Sequence, residues 1–564
     1  MNFEFIKPVP GLGNLYETCK NAELLALNVP AMSCVSSRSA LEFIVRLIYR
    51  SVVGDDHGMD LFSLVTDEDF VRYINDQTII DAIHVVRVNG NNGAHGRTVT
   101  APVACQTLEQ LQYVLGETLM NMNEIDDYPS FVSPLEVVRA RRASRPTGAP
   151  VEAPNNAESP AVAEPAALVT PLGKDGEHGS RCSGEAIELT EEVVARFAPS
   201  LRKTKFVVTK GHDPRENRKL YLDALLCEGG WKIALNANQQ YPETASIDMT
   251  LDDGTSVDYV LCGRDGRPLA VVEYSADEGN PLANRERANH AVDMLEKKYG
   301  YRPTAYYSTG YRLFCIDPLG FPPRRVAGFH TIDELELLKQ RVDTRADISN
   351  PVIDDAITNR DYQKEAIKNV CNAFMNGRRR SVVVMATGTG KTRVAISLVD
   401  VLLRGGWIKN VLFLADRTSL VRQAHKNFTK LLPNITTSII SGGSLNRDLN
   451  ARIIFSTYQT MIKKIDEDSR DFSIGRFDLV IIDEAHRSIF GKYRALFEYF
   501  DSLMVGLTAT PRSEEFKSTF EMFGAENGEP DYAYELEQAV HDGYLVGYTV
   551  LDRTTEAPSP RHRL

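Results

Sequence analysis

Cysteine is sparse and scattered. The 564 residues hold eight (Cys19, Cys34, Cys105, Cys182, Cys227, Cys262, Cys315 and Cys371), with no C-x-x-C pair among them. Neither a zinc site nor a disulfide framework finds support in that spacing. No run approaches the roughly 20 apolar residues that a membrane span requires. The opening MNFEFIKPVPGLGN lacks the basic segment and apolar core of a signal peptide. The expectation is a soluble, cytoplasmic chain with no membrane partner. Positive charge is in deficit too. At a formal net charge of −12 no broadly basic surface coats the protein, so any grip on nucleic acid must come from local patches. Internal repeats of solenoid period are absent. The apolar share of 43% and charged share of 25% are ordinary for globular protein and exclude wholesale disorder. The length implies several domains of roughly 100–200 residues each.

Composition and periodicity divide the chain. Residues 1–136 read as a helical domain: Leu41, Ile44, Val45 and Ile48 recur at helical spacing within Ser39–Val52, as do Leu108, Leu111, Leu115 and Leu119 within Leu108–Met122. Between them, RVNGNNGAH (87–95) reads as a turn-rich interruption. Residues 137–184 are rich in Pro and Ala and without periodicity. They cannot bury enough apolar surface to offset ordering, which makes them a flexible, partly extended linker. Over 185–345, helical patterns surround SVDYVL (256–261) and LAVVEY (269–274), joined through GRDGRP as a hairpin. From 350 to 550 short apolar runs (VVVMA, VLFLA, RIIFS, DLVIID, LMVGL) alternate with amphipathic helices, the signature of a parallel sheet with helices on both faces. Residues 551–564 form a Pro/Arg-rich tail.

The chemistry concentrates in that last domain. In SVVVMATGTGKT (381–392) an apolar run enters a glycine-rich turn and a helix follows. Gly388 and Gly390, alternating with Thr387 and Thr389, allow backbone N–H groups to converge on phosphate oxygens at a helix N-terminus. Lys391 is placed to reach the β- and γ-phosphates, and Thr392 to offer a hydroxyl to Mg²⁺. The strict pattern wants glycine where Met385 stands. The alternative is an ordinary strand–turn–helix with a surface lysine. Downstream, DLVIIDEAH (478–486) ends a buried strand in two carboxylates. Asp483 is expected to hold Mg²⁺, through water, and Glu484 to polarise an attacking water. Taken alone, the pair could equally be the acidic start of a helix.

Together these residues resemble superfamily 2 helicases of the DEAH type. That resemblance implies a RecA-like, ATP-binding domain at 350–550 and assigns further residues. Gln363 in RDYQKEAI would recognise adenine. Arg417 in ADRTSLVRQA, with Ser456 and Thr457 in FSTYQTM, would contact the nucleic-acid backbone, and Thr508, Ala509 and Thr510 would couple nucleotide state to strand movement. The family motor has a second RecA-like domain. Only about fifty residues follow Thr510 here, so the expectation is a truncated product, a fragment or half of a split motor.

Residues 217–316 resemble the PD-(D/E)xK nuclease domain of type I restriction enzyme R subunits, through NRKLYLDALLCEGGW, SVDYVLCGRDGRPLAVVEY and DMLEKKYGYRPTAYYSTGYR. The resemblance implies that Asp258 and Glu273 converge on one Mg²⁺. The family lysine two residues beyond Glu273 is replaced by Ser275, and Arg287 and Ala291 stand where a helical glutamine–tyrosine pair is expected. The better expectation is a retained fold with a damaged active site. Residues 1–136 resemble, more weakly, the HEPN-like helical domain ahead of some such nucleases. Arg87 and His95 are spaced too widely for its motif, and His95 reads as a solvated turn residue.

The fold expected is therefore α/β and multidomain, with a P-loop RecA-like parallel sheet preceded by an α+β nuclease-like domain and a helical N-terminal domain. The function that the resemblance implies is an ATP- and Mg²⁺-dependent translocase and endonuclease component. Its partners would be double-stranded DNA and the methylation and specificity subunits. Two rivals stay open: a stand-alone antiviral helicase-nuclease, and a catalytically incomplete ATP-gated DNA-binding protein.

Overall fold

The computed structural model describes residues 1–97, 99–143, 187–203, 205–234, 240–275, 281–309, 312–440, 448–465, 471–483, 494–509, 523–524 and 529–547. Two compact units organise them, one centred on residues 1–291 and the other on residues from 314 onward, with the segment between divided among them.

The first unit begins with seven helices: α1 (Gly13–Leu25), α2 (Pro30–Val52), α3 (Leu61–Thr66), α4 (Glu68–Ile74), α5 (Gln77–Ala94), α6 (Ala101–Asn121) and α7 (Pro134–Ala143). Asp60, Asp67 and Asp76 cap α3, α4 and α5 by accepting from first-turn N–H groups. The turn-rich reading of 87–95 is overturned, because α5 runs through it to Ala94. Its glycines serve close helix contact rather than chain reversal. A Cβ at Gly90 would lie 2.3 Å from Arg38 Cβ, and one at Gly93 2.5 Å from the Ala31 carbonyl. Arg87 is consequently buried, with its guanidinium 5.0 Å from the Phe62 ring centre and Nε 3.3 Å from His84 Nδ1. His95 is the C-cap.

Two expected boundaries also move. Helix α7 continues to Ala143, into the segment read as linker, while residues 144–186 lie outside the described residues. Helix α8 (Glu191–Lys203) contributes Val194, Phe197 and Leu201 to the same apolar core as Phe3, Ile44 and Leu111. It therefore packs with the helical domain. Helix α9 (Pro214–Glu228) starts at the Asp213 cap, and its fully buried Arg218 pairs with Asp81 of α5 at 2.9 Å.

Strands β1 (Lys232–Ile233), β2 (Thr244–Thr250), β3 (Ser256–Cys262), β4 (Pro268–Ser275), β5 (Thr304–Thr309), β6 (Arg312–Ile316) and β7 (Arg324–Val326) follow in sheet order, with α10 (Pro281–Tyr299) between β4 and β5. The expected hairpin is β3–β4, antiparallel, with Val260 paired to Val271. Gly266 takes the left-handed conformation of its turn, φ +73°.

The second unit contains α11 (Ile332–Thr344), opened by a Thr331/Glu334 capping box, then α12 (Asp361–Met375), β8 (Arg380–Met385), α13 (Lys391–Arg404), β9 (Val411–Ala415), α14 (Thr418–Leu431), β10 (Thr437–Ile440), β11 (Ile453–Thr457), α15 (Tyr458–Ile465), β12 (Leu479–Asp483), α16 (Arg494–Tyr499), β13 (Leu503–Thr508), β14 (Tyr532–Tyr534) and α17 (Leu536–His541). The sheet order is β10-β11-β9-β12-β13-β8-β14, and every pairing is parallel. Strand β9 is buried at every residue, which is why it reads as a continuous apolar run. The expected tail, residues 551–564, lies outside the described residues. No helix among the described residues is long and apolar enough to cross a membrane.

Candidate nucleotide site and carboxylate pair

In a parallel sheet of this kind, ligands bind beyond the carboxyl ends of the strands. Strand β8 ends at Met385, and the chain turns through Thr387-Gly388-Thr389-Gly390 into α13 at Lys391. The turn requires its glycines. Gly388 and Gly390 have φ of +90° and +94°, and a Cβ at Gly390 would lie 2.4 Å from Gln363 Nε2. Gly390 caps α13 without a side-chain acceptor, so the first-turn N–H groups and the positive end of the helix face the turn.

Residues of α12 hold this turn. Gln363 Nε2 donates to the Thr389 carbonyl at 2.8 Å, and the Tyr362 hydroxyl donates to the same oxygen at 2.8 Å. Gln363 Oε1 also accepts from the Thr358 hydroxyl. Thr389 is buried, its own hydroxyl bonded to the Ala386 carbonyl at 2.6 Å. Lys391 Nζ lies 3.3 Å from the Met385 carbonyl. Sequence reasoning singled out Gln363 but not the aromatic group beside it. Tyr362 stacks on Tyr534 of β14 at 4.0 Å with 6° between planes, and Tyr544 meets it edge-on at 5.0 Å. Only the adjacency of Tyr362 to Gln363 hinted at this, since β14 is too short to announce itself.

Asp483 is the last residue of β12, and Thr508 the last of β13. With β13 lying between β12 and β8, both end on the edge that carries the glycine turn. Glu484 and Thr510 lie outside the described residues, while Ala509 follows β13 directly. Thr392 and Asp483 supply oxygen ligands of the kind Mg²⁺ takes, and the turn opens a helix whose first N–H groups have no side-chain cap. The residues present therefore fit a magnesium nucleotide.

The positions linked to nucleic acid separate into two groups. Arg417 is the N-cap of α14, and its side chain is largely exposed, with Asp416 at 3.7 Å. Thr457 is partly exposed and caps α15 by accepting from Thr460 N at 3.3 Å. Ser456 departs from expectation. It is fully buried within β11 and donates to the Ile440 carbonyl at 3.2 Å, so it presents no face to a phosphate.

A separate feature lies in the first unit. Carrying the β3–β4 register one pair beyond Tyr259–Val272 sets Asp258 opposite Glu273, on one face of the hairpin. Both are buried. Asp258 Oδ2 accepts from Tyr274 N at 3.0 Å, and Oδ1 lies 3.2 Å from Arg215 Nη2. Arg287 Nη2 of α10 lies 2.5 Å from Glu273 Oε2 and 3.7 Å from Asp258 Oδ2. Burial first, then the Asp258 charge, push the Glu273 carboxyl well above the usual range, and Arg287 only partly offsets them. Arg287 was noted in the sequence as a departure from the nuclease pattern; its contact with both carboxylates was not foreseen.

The family model described as "Type III restriction enzyme, res subunit" matches residues 356–513. The endonuclease subunit of the type I restriction enzyme EcoAI from Escherichia coli is 36% identical over 318 residues, which is 52% of this chain and 37% of that protein. The corresponding EcoKI subunit from Escherichia coli K12 is 31% identical over 209 residues, 33% of this chain and 17% of its own length. Among solved structures, the Pyrococcus furiosus Hef helicase domain aligns with 32% of this chain and 39% of its own at 25% identity, with a TM-score of 0.26. The chain thus spans well under half the length of the curated relatives it matches.

Proposed function

We propose that this chain, type I R-subunit-like over the stretch it shares with those relatives, carries the ATP-driven motor part of a restriction enzyme acting on double-stranded DNA. The observation that carries the reading is the edge of the parallel sheet. There, two left-handed glycines open a helix at Lys391, Gln363 holds the turn from behind, and Asp483 ends a strand on the same edge.

Each residue receives a task from its position. The N–H groups at the start of α13 bind phosphate oxygens, and Lys391 neutralises the terminal phosphates. Gln363 reads adenine while fixing the Thr389 carbonyl. Mg²⁺, when bound with nucleotide, neutralises charge on the phosphates and would be held by Thr392 and, through water, Asp483. Glu484 is assigned the orientation of the attacking water. Arg417 and Thr457 contact the DNA backbone, and Thr508, Ala509 and Thr510 transmit the nucleotide state. The methylation and specificity subunits are the partners that this reading implies.

The Asp258–Glu273 hairpin is assigned to a nuclease-type domain that does not cut. Ser275 offers a neutral hydroxyl where phosphodiester attack needs a cation. Losing one preorganised donor at a developing anion costs about 10²–10³ in rate.

The test is equilibrium binding of fluorescent ATP with and without Mg²⁺, in the presence and absence of duplex DNA. A single Mg²⁺-dependent site, lost in Lys391→Ala and shifted in affinity by DNA, is the expected result. Nucleotide binding that survives Lys391→Ala, or that DNA leaves unchanged, would overturn the reading.

A further inference from the structure

Two buried carboxylates facing one another are costly unless a cation compensates them. At Asp258 and Glu273 the protein supplies that cation itself. Arg287 reaches in from α10 and brings a single nitrogen to 2.5 Å from Glu273 and 3.7 Å from Asp258. One nitrogen thus contacts Glu273 directly and lies within ion-pair reach of Asp258. Arg215, from α9, approaches the other oxygen of Asp258 at 3.2 Å. Two guanidinium groups thus stand against the two carboxyl groups. The remaining direction at Asp258 Oδ2 is taken up by the Tyr274 N–H.

A hard divalent ion needs surplus negative charge and unengaged oxygens. Here it would have to expel a guanidinium from a carboxylate that is only 1% exposed. It would then remain beside two positive charges. The residues present do not fit a bound metal.

We propose that Arg287 takes the place of the metal ion, a built-in cation that closes the Asp258–Glu273 pair to divalent ions. The inference rests on the nuclease-type reading of the hairpin. It also changes the account of why the site is silent. The loss of a lysine at Ser275 is then only half of the defect, and the other half is an arginine on the facing helix.

Calorimetric titration of the full chain with Mn²⁺, without nucleotide, tests this. The wild-type and Glu273→Gln proteins should give superimposable isotherms, because Glu273 contributes to no site. Arg287→Gln should gain one Mn²⁺ site at least tenfold tighter than any wild-type binding, and Arg287→Gln/Glu273→Gln should lose it. A wild-type Mn²⁺ site that Glu273→Gln removes would overturn the proposal. So would an Arg287→Gln protein that folds, by circular dichroism, yet gains no site. The wild-type comparison decides the matter even if Arg287→Gln does not fold. DNA nicking is read separately: Arg287→Gln that binds Mn²⁺ without nicking supports the metal inference, whereas wild-type nicking that Glu273→Gln abolishes would overturn both the metal inference and the silent-nuclease reading.

Discussion

The side-chain amide of Gln363 donates to the main-chain carbonyl of Thr389 at 2.8 Å, so the residue assigned to adenine also braces the phosphate turn. Gln363→Ala should therefore do more than relax base preference. Losing one such bond costs about 1 kcal/mol, or roughly fivefold in affinity, for ATP and GTP alike, with a further loss confined to ATP. Titration with fluorescent analogues of both nucleotides would show the two components. An equal, small effect on both would remove Gln363 from adenine recognition and leave it only the brace.

Gly390→Ala should be more damaging than its size suggests. The φ of +94° is strained for any L side chain, and the new Cβ would lie 2.4 Å from Gln363 Nε2. Nucleotide binding should be lost as fully as in Lys391→Ala, while the circular dichroism spectrum stays unchanged. Binding within threefold of wild type would show that the turn is not rigidly required.

How far the sequence could be read depends on how local each cause is. The five apolar runs of 350–550 became β8, β9, β11, β12 and β13 because strands buried on both faces cannot hide their composition. Strands β10 and β14 escaped, since their few residues match no period. The glycines of 87–95 misled for a different reason. Gly90 and Gly93 serve contacts with Arg38 and Ala31 on another helix, and nothing in the local sequence separates packing glycines from turn glycines. Asp258 and Glu273 were paired through the nuclease resemblance, yet Arg287 lies on a helix whose approach that pattern does not report.

The second unit contains a buried ion cluster that composition did not announce. Arg324 binds both oxygens of Asp501, at 2.5 and 2.6 Å, while Arg379 approaches at 2.7 Å and His330 at 3.1 Å. Burial pushes the Asp501 carboxyl up, but Arg324 and Arg379 outweigh it and hold it well below the usual range. A depressed folded pKa contributes stability above the unfolded value of about 3.9 and loses it as pH falls through the folded one. Asp501→Asn should cost about 3–5 kcal/mol, because two buried guanidinium groups are left with Asp317, at 2.6 Å from Arg324 and 3.6 Å from Arg379, as their remaining carboxylate. Wild-type stability should also fall more steeply than the variant's from pH 5 to pH 3. Urea denaturation across that window checks both, and parallel pH profiles would refute the assignment.

Binding to DNA should be weakly salt-dependent. The slope of log K against log salt is about 0.9 per phosphate neutralised on duplex DNA, and an acidic chain offers few such contacts beyond the exposed Arg417. Arg417→Ala should reduce the slope by about 1 and weaken all sequences equally, because phosphate contacts carry no base information. Fluorescence anisotropy at several salt concentrations measures this, and a marked sequence preference would contradict it.

The sharpest test of the silent hairpin is a comparison of two repairs. Ser275→Lys restores the cation that the resemblance expects, but it adds a third positive charge near a pair that Arg287 and Arg215 already neutralise. It should therefore leave supercoiled plasmid intact in Mg²⁺ or Mn²⁺. Arg287→Gln alone opens the carboxylates but supplies no donor for the developing phosphate charge, and should be equally inactive. Only Ser275→Lys/Arg287→Gln should nick. The activity should require Mn²⁺ or Mg²⁺, vanish on further Glu273→Gln, and exceed either single variant by about 10² or more, the typical worth of one preorganised donor. Nicking by Ser275→Lys alone would show that Arg287 yields to the metal without help. If the double variant binds Mn²⁺ yet leaves the plasmid intact, the hairpin is no longer a nuclease centre one substitution on each face from repair.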